Sequence, residues 1–161
     1  MAKGKVSPEL IEQFKQIVGE KYVYTDKDKL EPYSHDEVTD PHYMKEPQVV
    51  VLPATTEEVS KVVKLCYEND TVMVPRAAGT GLAAGAVATF GGVIISIERM
   101  NKILEIDKDN MVCVSEAGVT TSVLQDAVQK EGLFYGGDPC SASSAVTLQP
   151  TLAATALLNM A

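Results

Sequence analysis

The sequence predicts an α/β domain, because apolar strand patterns alternate with amphipathic helix patterns along it. Residues 49–52 form an unbroken apolar run ahead of a proline, which is typical of a buried strand. Thr55 and Glu58 match a capping box, so we expect a helix that starts there and ends near Asn69. A second strand is predicted over residues 71–75. This order of strand, helix and strand predicts a parallel pair joined by a right-handed crossover.

Further elements are expected on both sides of this unit. A first helix over residues 7–18 would begin at Ser7, carry Pro8 in its first turn and end at Gly19. Residues 24–47 are polar, contain three prolines and are expected to be mostly loop. The later predictions are strands over 93–97, 103–106, 111–116 and 133–135, and a helix capped by Thr121 and ended by Gly132.

Helical spacing predicts which side chains these helices bury. The first helix presents an apolar stripe along one side, the second carries valines and a cysteine, and the last has a shorter apolar face. The residues expected to be buried are Leu10, Ile11, Phe14, Ile17 and Val18, then Val59, Val62, Val63 and Cys66, and finally Val123, Leu124 and Val128.

Composition excludes several classes of protein. The chain has 161 residues, 45% hydrophobic and 22% charged, which is the balance of a globular domain rather than a disordered one. A net charge of −8 argues against a nucleic-acid partner. The three cysteines show no CxxC spacing, so we expect reduced thiols in a cytoplasmic protein rather than disulfides or a metal site. No apolar run is long enough for a transmembrane segment.

The most informative segment is PRAAGTGLAAGA, residues 75–86, directly after the second predicted strand. Small residues let a backbone approach a ligand closely, and successive main-chain N–H groups in such a loop can bind an anion. The ligand implied is a phosphate or diphosphate, to which Thr80 could add a hydroxyl donor and Arg76 a positive charge. The alternative is a tight surface turn that binds nothing.

Two common phosphate motifs fit this loop poorly. A Walker A loop needs a lysine near its end, and no lysine stands here. Gly79, Gly81 and Ala84 match the Rossmann pattern G-x-G-x-x-A, with Glu98 as the candidate ribose-binding acid. The Rossmann interpretation also needs a helix that begins at the loop. The residues that follow, AGAVATFGG, have no apolar stripe at helical spacing, so this interpretation is disfavoured.

The chain resembles a known family over roughly residues 30–141. The matching stretches are VVLPATTEEVSKVVKLCYENDTVMVPRAAGTGL, GAVATFGGVIISIERMNKILEID, VSEAGVTTSVLQDAV and GLFYGGDPCS, preceded by Tyr-Ser-His-Asp-Glu at 33–37. In this order they resemble the FAD-linked oxidases of the vanillyl-alcohol oxidase/p-cresol methylhydroxylase (PCMH) superfamily. The nearest members are the D-lactate dehydrogenase and glycolate oxidase FAD subunits.

The resemblance implies a PCMH-type FAD-binding domain, in which FAD lies between two α/β subdomains. We expect a small parallel βαβ subdomain, then a mixed-sheet subdomain that is incomplete here. The predicted divisions are 1–47 for an N-terminal helix and wrapping segment, 48–141 for the N-terminal part of the FAD-binding domain, and 142–161 for an atypical or truncated tail.

The resemblance also implies which residues bind FAD. The loop after the second strand would hold the diphosphate through its backbone, a Glu-Ala-Gly element would lie near the adenosine, and a second loop would contact the cofactor further on. Residues 99–101 match a segment of the family that is mainly a structural turn. The implied cofactor-binding residues are Pro75, Arg76, Ala77, Ala78, Gly79, Thr80, Gly81, Leu82, Glu116, Gly118, Gly137, Asp138, Pro139 and Ser141.

Two departures from the family pattern stand out. The family usually has glycine at position 77 or 78, where this chain has alanine at both. After Ser141 the family continues with small and polar residues that lie against the flavin. This chain places leucines in that stretch, which suggests a disturbed reading frame or an early end of the gene. The leucines are Leu148, Leu152, Leu157 and Leu158.

The implied activity is oxidation of a D-2-hydroxy acid, of D-lactate or glycolate type, to a 2-oxo acid. The electrons would pass to a quinone, an electron-transfer flavoprotein or an iron–sulfur partner, in a cytoplasmic enzyme or one peripheral to the membrane. No catalytic residue is predicted, since His35 and His42 are expected to be surface or structural residues. We expect the chain alone to bind FAD weakly or not at all and to be inactive. The alternative is a non-catalytic nucleotide- or anion-binding module that regulates a partner.

Overall fold

A computed structural model describes residues 5–137 and the backbone of 153–157 and 159–160. The chain divides into two compact units, Met1–Arg99 and Met100–Ala161. The boundaries at 47/48 and 141/142 stay predictions.

The first unit is a four-stranded sheet with helices. Its elements are α1 (Pro8–Val18), β1 (Val23–Tyr24), α2 (Lys27–Leu30), β2 (Val49–Val51), α3 (Thr56–Glu68), β3 (Met73–Arg76) and β4 (Val93–Ser96), with short 3-10 turns at Glu20–Tyr22, Glu31–Tyr33 and Pro41–Tyr43. The strand order is β1-β2-β4-β3. The short strand β1, which pairs antiparallel with β2, lies partly in the segment that was expected to be mostly loop.

The predicted parallel arrangement is correct, but the predicted neighbours are not. β2 and β3 are both parallel to β4, which lies between them, so they do not pair with each other. β4 is buried along its whole length and apolar up to its last residue, Ser96, which suits a central strand. β3 is the edge strand, and this explains how it tolerates Pro75, which has no N–H to donate to a neighbour.

The central strands bury side chains on both faces of the sheet. Val49, Val51 and Ile95 pack with the buried sides of α1 and α3. Val50 and Ile94 point the other way and pack with a second cluster that contains Leu30 and Ala88. The alternation follows from the two-residue period of a strand, and it explains the unbroken apolar run in the sequence.

Both long helices of this unit begin as the sequence predicts. Ser7 Oγ accepts a hydrogen bond from the N–H of Leu10, and Thr55 Oγ1 accepts one from the N–H of Glu58. The predicted buried face of α3 is partly wrong. Val62 and Cys66 are buried, whereas Val63 is 37% exposed, because it lies one position off the stripe that faces the sheet.

The second unit is built on antiparallel pairs. Its elements are β5 (Ile103–Asp107), β6 (Val112–Glu116), α4 (Thr121–Lys130), β7 (Leu133–Phe134), β8 (Ala153–Leu157) and β9 (Asn159–Met160). β6 pairs with β5 on one side and β8 on the other, and β7 pairs with β9. Parallel and antiparallel sheets in one chain confirm the predicted mixed α/β class.

Helix α4 covers the core of this unit. Leu124 and Val128 are buried and pack with Cys113, Val119 and Leu133. Val123, also expected to be buried, is 51% exposed, and the N-cap is Thr120 rather than Thr121. Among the described residues no helix is long and apolar enough to cross a membrane.

Candidate cofactor-binding site

A loop of small residues follows β3 at the carboxyl end of the parallel strands. Arg76, the last residue of β3, lies beside Ser96 of β4, and the chain then continues through residues 77–82, which we call the anion loop. In open α/β sheets, ligands bind beyond the carboxyl ends of the strands. No helix forms between β3 and β4, so the structure excludes the Rossmann interpretation of this loop.

The main-chain N–H groups of the anion loop are left free. Within the described part of the chain, none of the six N–H groups of residues 77–82 donates to an acceptor, and the hydroxyl of Thr80 has no partner either. The residues of the loop are half-buried to exposed. A run of free donors on small residues is the geometry that binds phosphate oxygens.

Gly79 is required by the backbone of this loop. Its φ is +71°, a left-handed conformation that side chains oppose, and a Cβ here would collide with the guanidinium of Arg76. Ala77 and Ala78 do not adopt positive φ. The two alanines that depart from the family pattern therefore cause no backbone strain.

The side chain of Arg76 holds the loop against the N-terminal segment. Its Nη1 donates to the carbonyl oxygens of His35 and Ala86, at 2.8 and 3.1 Å, and its Nη2 donates to that of Pro32 at 3.1 Å. Arg76 is only 8% exposed. Since three carbonyls already accept its hydrogen bonds, the guanidinium shapes the loop. A direct contact with a phosphate stays a prediction.

A polar network that the sequence did not predict lies beside Arg76. Glu98 Oε1 accepts hydrogen bonds from the hydroxyls of Tyr33 and Ser96. Burial raises the pKa of Tyr33, and the hydrogen bond to Glu98 raises it further. Burial lowers the pKa of Arg76, against the opposing effect of the charges around it. Tyr33 and Glu98 lie 65 positions apart, so no local pattern reveals the pair.

Asp36 lies in the segment that Arg76 holds. Its neighbour Glu37 donates a main-chain hydrogen bond to the carbonyl oxygen of Gly81, at 3.0 Å. Asp36 Oδ1 accepts from the N–H of Val38 at 2.9 Å, whereas Oδ2 is buried without a hydrogen-bond partner. The sequence assigned Asp36 to a family element but gave it no role.

In the second unit, Glu116 and Gly118 form a hydrogen-bonded turn. Glu116 Oε2 accepts from the N–H of Lys102 at 2.8 Å, and the N–H of Gly118 donates to the carbonyl oxygen of Met100 at 2.7 Å. These bonds fix the turn after β6. The predicted contact of Glu116 and Gly118 with adenosine stays a prediction.

The second predicted cofactor loop is described only at its first residue. The carbonyl oxygen of Gly137 accepts a hydrogen bond from Gln125 Nε2 at 2.8 Å, and a Cβ on Gly137 would collide with the ring of Tyr135. Asp138, Pro139 and Ser141 lie outside the described residues, as do Leu148, Leu152 and Leu158.

Comparison with known proteins identifies the family. A model of the FAD-binding domain family matches residues 47–149. The chain belongs to this family. Its fold is that of PCMH-type domains: p-cresol methylhydroxylase superposes with a TM-score of 0.76 at 25% identity, over 86% of this chain and 27% of that one. The cofactor of this domain is FAD.

Relatives of known name are much longer than this chain. A D-lactate dehydrogenase of Anaerostipes hadrus is 44% identical over 137 residues, which are 84% of this chain and 28% of the relative. The glycolate oxidase subunit GlcD of Bacillus subtilis (strain 168) is 39% identical over 109 residues, 68% of this chain and 23% of the relative. The chain therefore spans less than a third of either relative.

The anion loop fits the diphosphate of FAD. It offers consecutive free donors, small side chains, and a buried arginine that adds positive charge beneath the backbone. Among the described residues no cluster of His, Cys, Asp or Glu could hold a metal ion.

Proposed function

We propose that this chain is the FAD-binding portion of an enzyme that oxidises a D-2-hydroxy acid, of D-lactate or glycolate type, to a 2-oxo acid. The observation that carries the proposal is the 44% identity with a D-lactate dehydrogenase over 84% of the chain. The glycolate oxidase subunit supports the same substrate class, since D-lactate and glycolate differ by one methyl group.

In this proposal the residues of the chain bind the cofactor rather than the substrate. The main-chain N–H groups of 77–82 bind the diphosphate, with Pro75 and Arg76 shaping the loop. Glu116 and Gly118 lie near the adenosine. FAD, when bound, supplies the acceptor for the hydride that leaves the hydroxy-bearing carbon. Gly137, Asp138, Pro139 and Ser141 form the second cofactor loop.

We propose that the chain alone binds FAD weakly and does not turn over substrate. Oxidation of a hydroxy acid needs a base near the hydroxyl group. Among the described residues, neither histidine side chain contacts a second acid or base: His35 contacts Ser34 Oγ at 3.3 Å, and His42 is exposed and contacts the ring of Tyr43. In this proposal the base and the substrate site belong to the part of the longer relatives that this chain does not span.

The remaining assignments concern the enzyme's surroundings. Its electrons pass to a quinone, an electron-transfer flavoprotein or an iron–sulfur partner. Cys66 and Cys113 are free and buried thiols, which supports a reducing, cytoplasmic location.

A non-catalytic anion-binding module is the second candidate. It is favoured by the location of the partners that hold the anion loop. Among the described residues these are Pro32, His35, Glu37 and Ala86, and all of them lie in the first unit. Such a loop could bind a nucleotide without any downstream sequence.

Two measurements test these proposals. Each is made on the purified chain and on the longest protein that its gene encodes. The first is a titration with FAD, followed by flavin fluorescence and by amide chemical shifts. The second is reduction of a dye in the presence of D-lactate or glycolate. We expect weak FAD binding by the chain, and turnover only by a longer product that carries a substrate domain. Turnover by the chain itself would contradict the proposed division of roles. A true stop codon at position 162, with a folded product that binds nucleotide, would favour the module.

A further inference from the structure

The carboxylate of Asp36 is an unusual group to find beside an anion-binding loop. Asp36 is 6% exposed, and its Oδ2 is buried without a partner among the described residues. A buried carboxylate oxygen without a donor is unfavourable, so native proteins keep such groups for a reason. A carboxylate also repels the phosphate that the loop is suited to bind.

The structure orients Asp36 towards the loop. The residue before it is bonded to the last residue of β3, because the carbonyl oxygen of His35 accepts a hydrogen bond from Arg76. The residue after it is bonded to the anion loop, because the N–H of Glu37 donates to the carbonyl oxygen of Gly81. Oδ1 is used by the N–H of Val38, which leaves Oδ2 as the free acceptor.

Gly81 of the anion loop lies next to Oδ2. An atom at the position of a Cβ on Gly81 would lie 3.8 Å from Asp36 Oδ2, and no other heavy atom beyond the neighbouring residues lies within 4 Å of it. A movement of about 1 Å would bring a donor there into hydrogen-bond distance. Gly81 does not adopt positive φ, so its backbone conformation does not require a glycine.

We propose that Asp36 Oδ2 accepts a hydrogen bond from a hydroxyl group of the ligand whose phosphates bind the anion loop. This inference rests on the proposed function. It adds to the phosphate contacts a polar contact that distinguishes one phosphate-bearing ligand from another. The doubly esterified diphosphate of FAD has no proton to donate near neutral pH, whereas a sugar or polyol hydroxyl does. FAD carries hydroxyls on both sides of its diphosphate, on the ribose and on the ribityl chain. Asp36 would therefore weaken the binding of a bare anion and strengthen the binding of an anion that is joined to a polyol.

The test compares probes that share phosphate but differ in hydroxyl groups. Inorganic pyrophosphate, ADP, FMN and FAD are titrated into the chain, and each Kd is measured from the amide shifts of 77–82. The variant is Asp36→Asn, which retains the shape and the Oδ1 acceptor for Val38. We expect it to raise the Kd of FAD roughly tenfold or more while the Kd of pyrophosphate stays the same or falls. A loss with FMN would assign the hydroxyl to the ribityl chain, and a loss with ADP to the ribose.

Gly81→Ala supplies a second, independent variant. Its methyl group would lie 3.8 Å from Oδ2, where the ligand hydroxyl is proposed to bind, so we expect the ratio of the FAD Kd to the pyrophosphate Kd to rise at least threefold. Gly85→Ala is the matched control, because a Cβ there meets no atom within 4 Å, and we expect no change in the ratio. The ratio of the two Kd values cancels any effect of a substitution that weakens the binding of both ligands equally.

The outcomes separate this inference from the proposed function. Equal weakening of all four probes by Asp36→Asn would show a structural role and overturn the inference. Unchanged affinities would show that Oδ2 accepts no hydrogen bond from the ligand, and this result would also overturn the inference. In either case, binding of pyrophosphate would still support the proposal that the anion loop binds phosphate groups. Failure of every probe to shift the amides of 77–82 in the wild-type chain would overturn both.

Discussion

Arg76 Nη1 donates a hydrogen bond of 2.8 Å to the carbonyl oxygen of His35, which lies 41 positions earlier in the chain. This bond joins the end of the edge strand β3 to the N-terminal segment. The same guanidinium donates to two further carbonyls, those of Ala86 and Pro32. One side chain therefore joins the residues on both sides of the anion loop to the N-terminal segment. The main-chain N–H groups of the anion loop take no part in these bonds.

Replacing Arg76 therefore tests how the loop is held. We expect Arg76→Met to lower the free energy of unfolding by about 2–3 kcal/mol, because three part-buried carbonyls lose a charged donor. Arg76→Lys should recover only part of this, since an ammonium group cannot span the three carbonyls as the planar guanidinium does. Urea unfolding measures both variants. A lysine variant as stable as wild type would contradict the account.

Gly79 offers a test of the backbone conformation. We expect Gly79→Ala to weaken pyrophosphate binding at least tenfold, because φ is +71° and the new methyl group would displace the Arg76 guanidinium. Gly85→Ala, in open space, serves as the control and should bind as wild type does. Amide shift titration measures both, and equal affinities for the two variants would argue against this role for Gly79.

Much of the fold could be predicted from local patterns, and the failures have clear causes. The capped starts of α1 and α3 follow from residues within four positions of each other. The insertion of β4 between β2 and β3 could not be predicted in this way, because strand order depends on long-range packing. Val63 was wrongly assigned to the buried face, since a sequence stripe does not fix how a helix is rotated on its sheet.

The candidate site was predicted as a loop but not as a network. Gly and Ala spacing revealed the anion loop, since small residues are a local signal. The hydroxyl of Tyr33 meets Glu98 across 65 positions, and the partners of the Arg76 guanidinium are carbonyl oxygens, which any residue type can supply. Only the family element at 33–37 signalled that this segment mattered.

Two adjacent valines on α3 test the corrected helix face. We expect Val62→Ala to lower the free energy of unfolding by about 2 kcal/mol, because Val62 is fully buried. Val63→Ala should cost less than about 0.5 kcal/mol, since Val63 is 37% exposed. Thermal or urea unfolding compares the pair directly. Similar losses for both would mean that the helix is rotated differently.

The raised pKa of Tyr33 predicts a pH dependence of stability. In the unfolded chain this tyrosine ionises near pH 10, whereas in the folded chain it holds its proton to higher pH. Stability from this group is thus complete below pH 10 and is lost as pH rises beyond it, by up to about 1.4 kcal/mol per pH unit. We expect Tyr33→Phe to reduce this loss and Tyr67→Phe, at an 80% exposed position, to leave it unchanged. Urea unfolding from pH 9 to 12 measures the slopes, and identical slopes would refute the assignment.

Burial predicts the reactivity of two thiols. Burial raises the pKa of Cys66 to about 11 and also raises that of Cys113, so little thiolate forms at pH 8. In a Cys140→Ser background, we expect both to react with a thiol reagent only as fast as the chain unfolds. Rapid labelling of either thiol in the folded chain would contradict the described packing.

The measurement that tests the central claim most directly is a titration of FAD into the chain, followed by the amide shifts of residues 77–82. The account predicts weak, saturable binding that shifts these amides together and is competed by inorganic pyrophosphate. Binding of FAD that leaves these amides unchanged, or no binding at all by a chain shown to be folded, would contradict it.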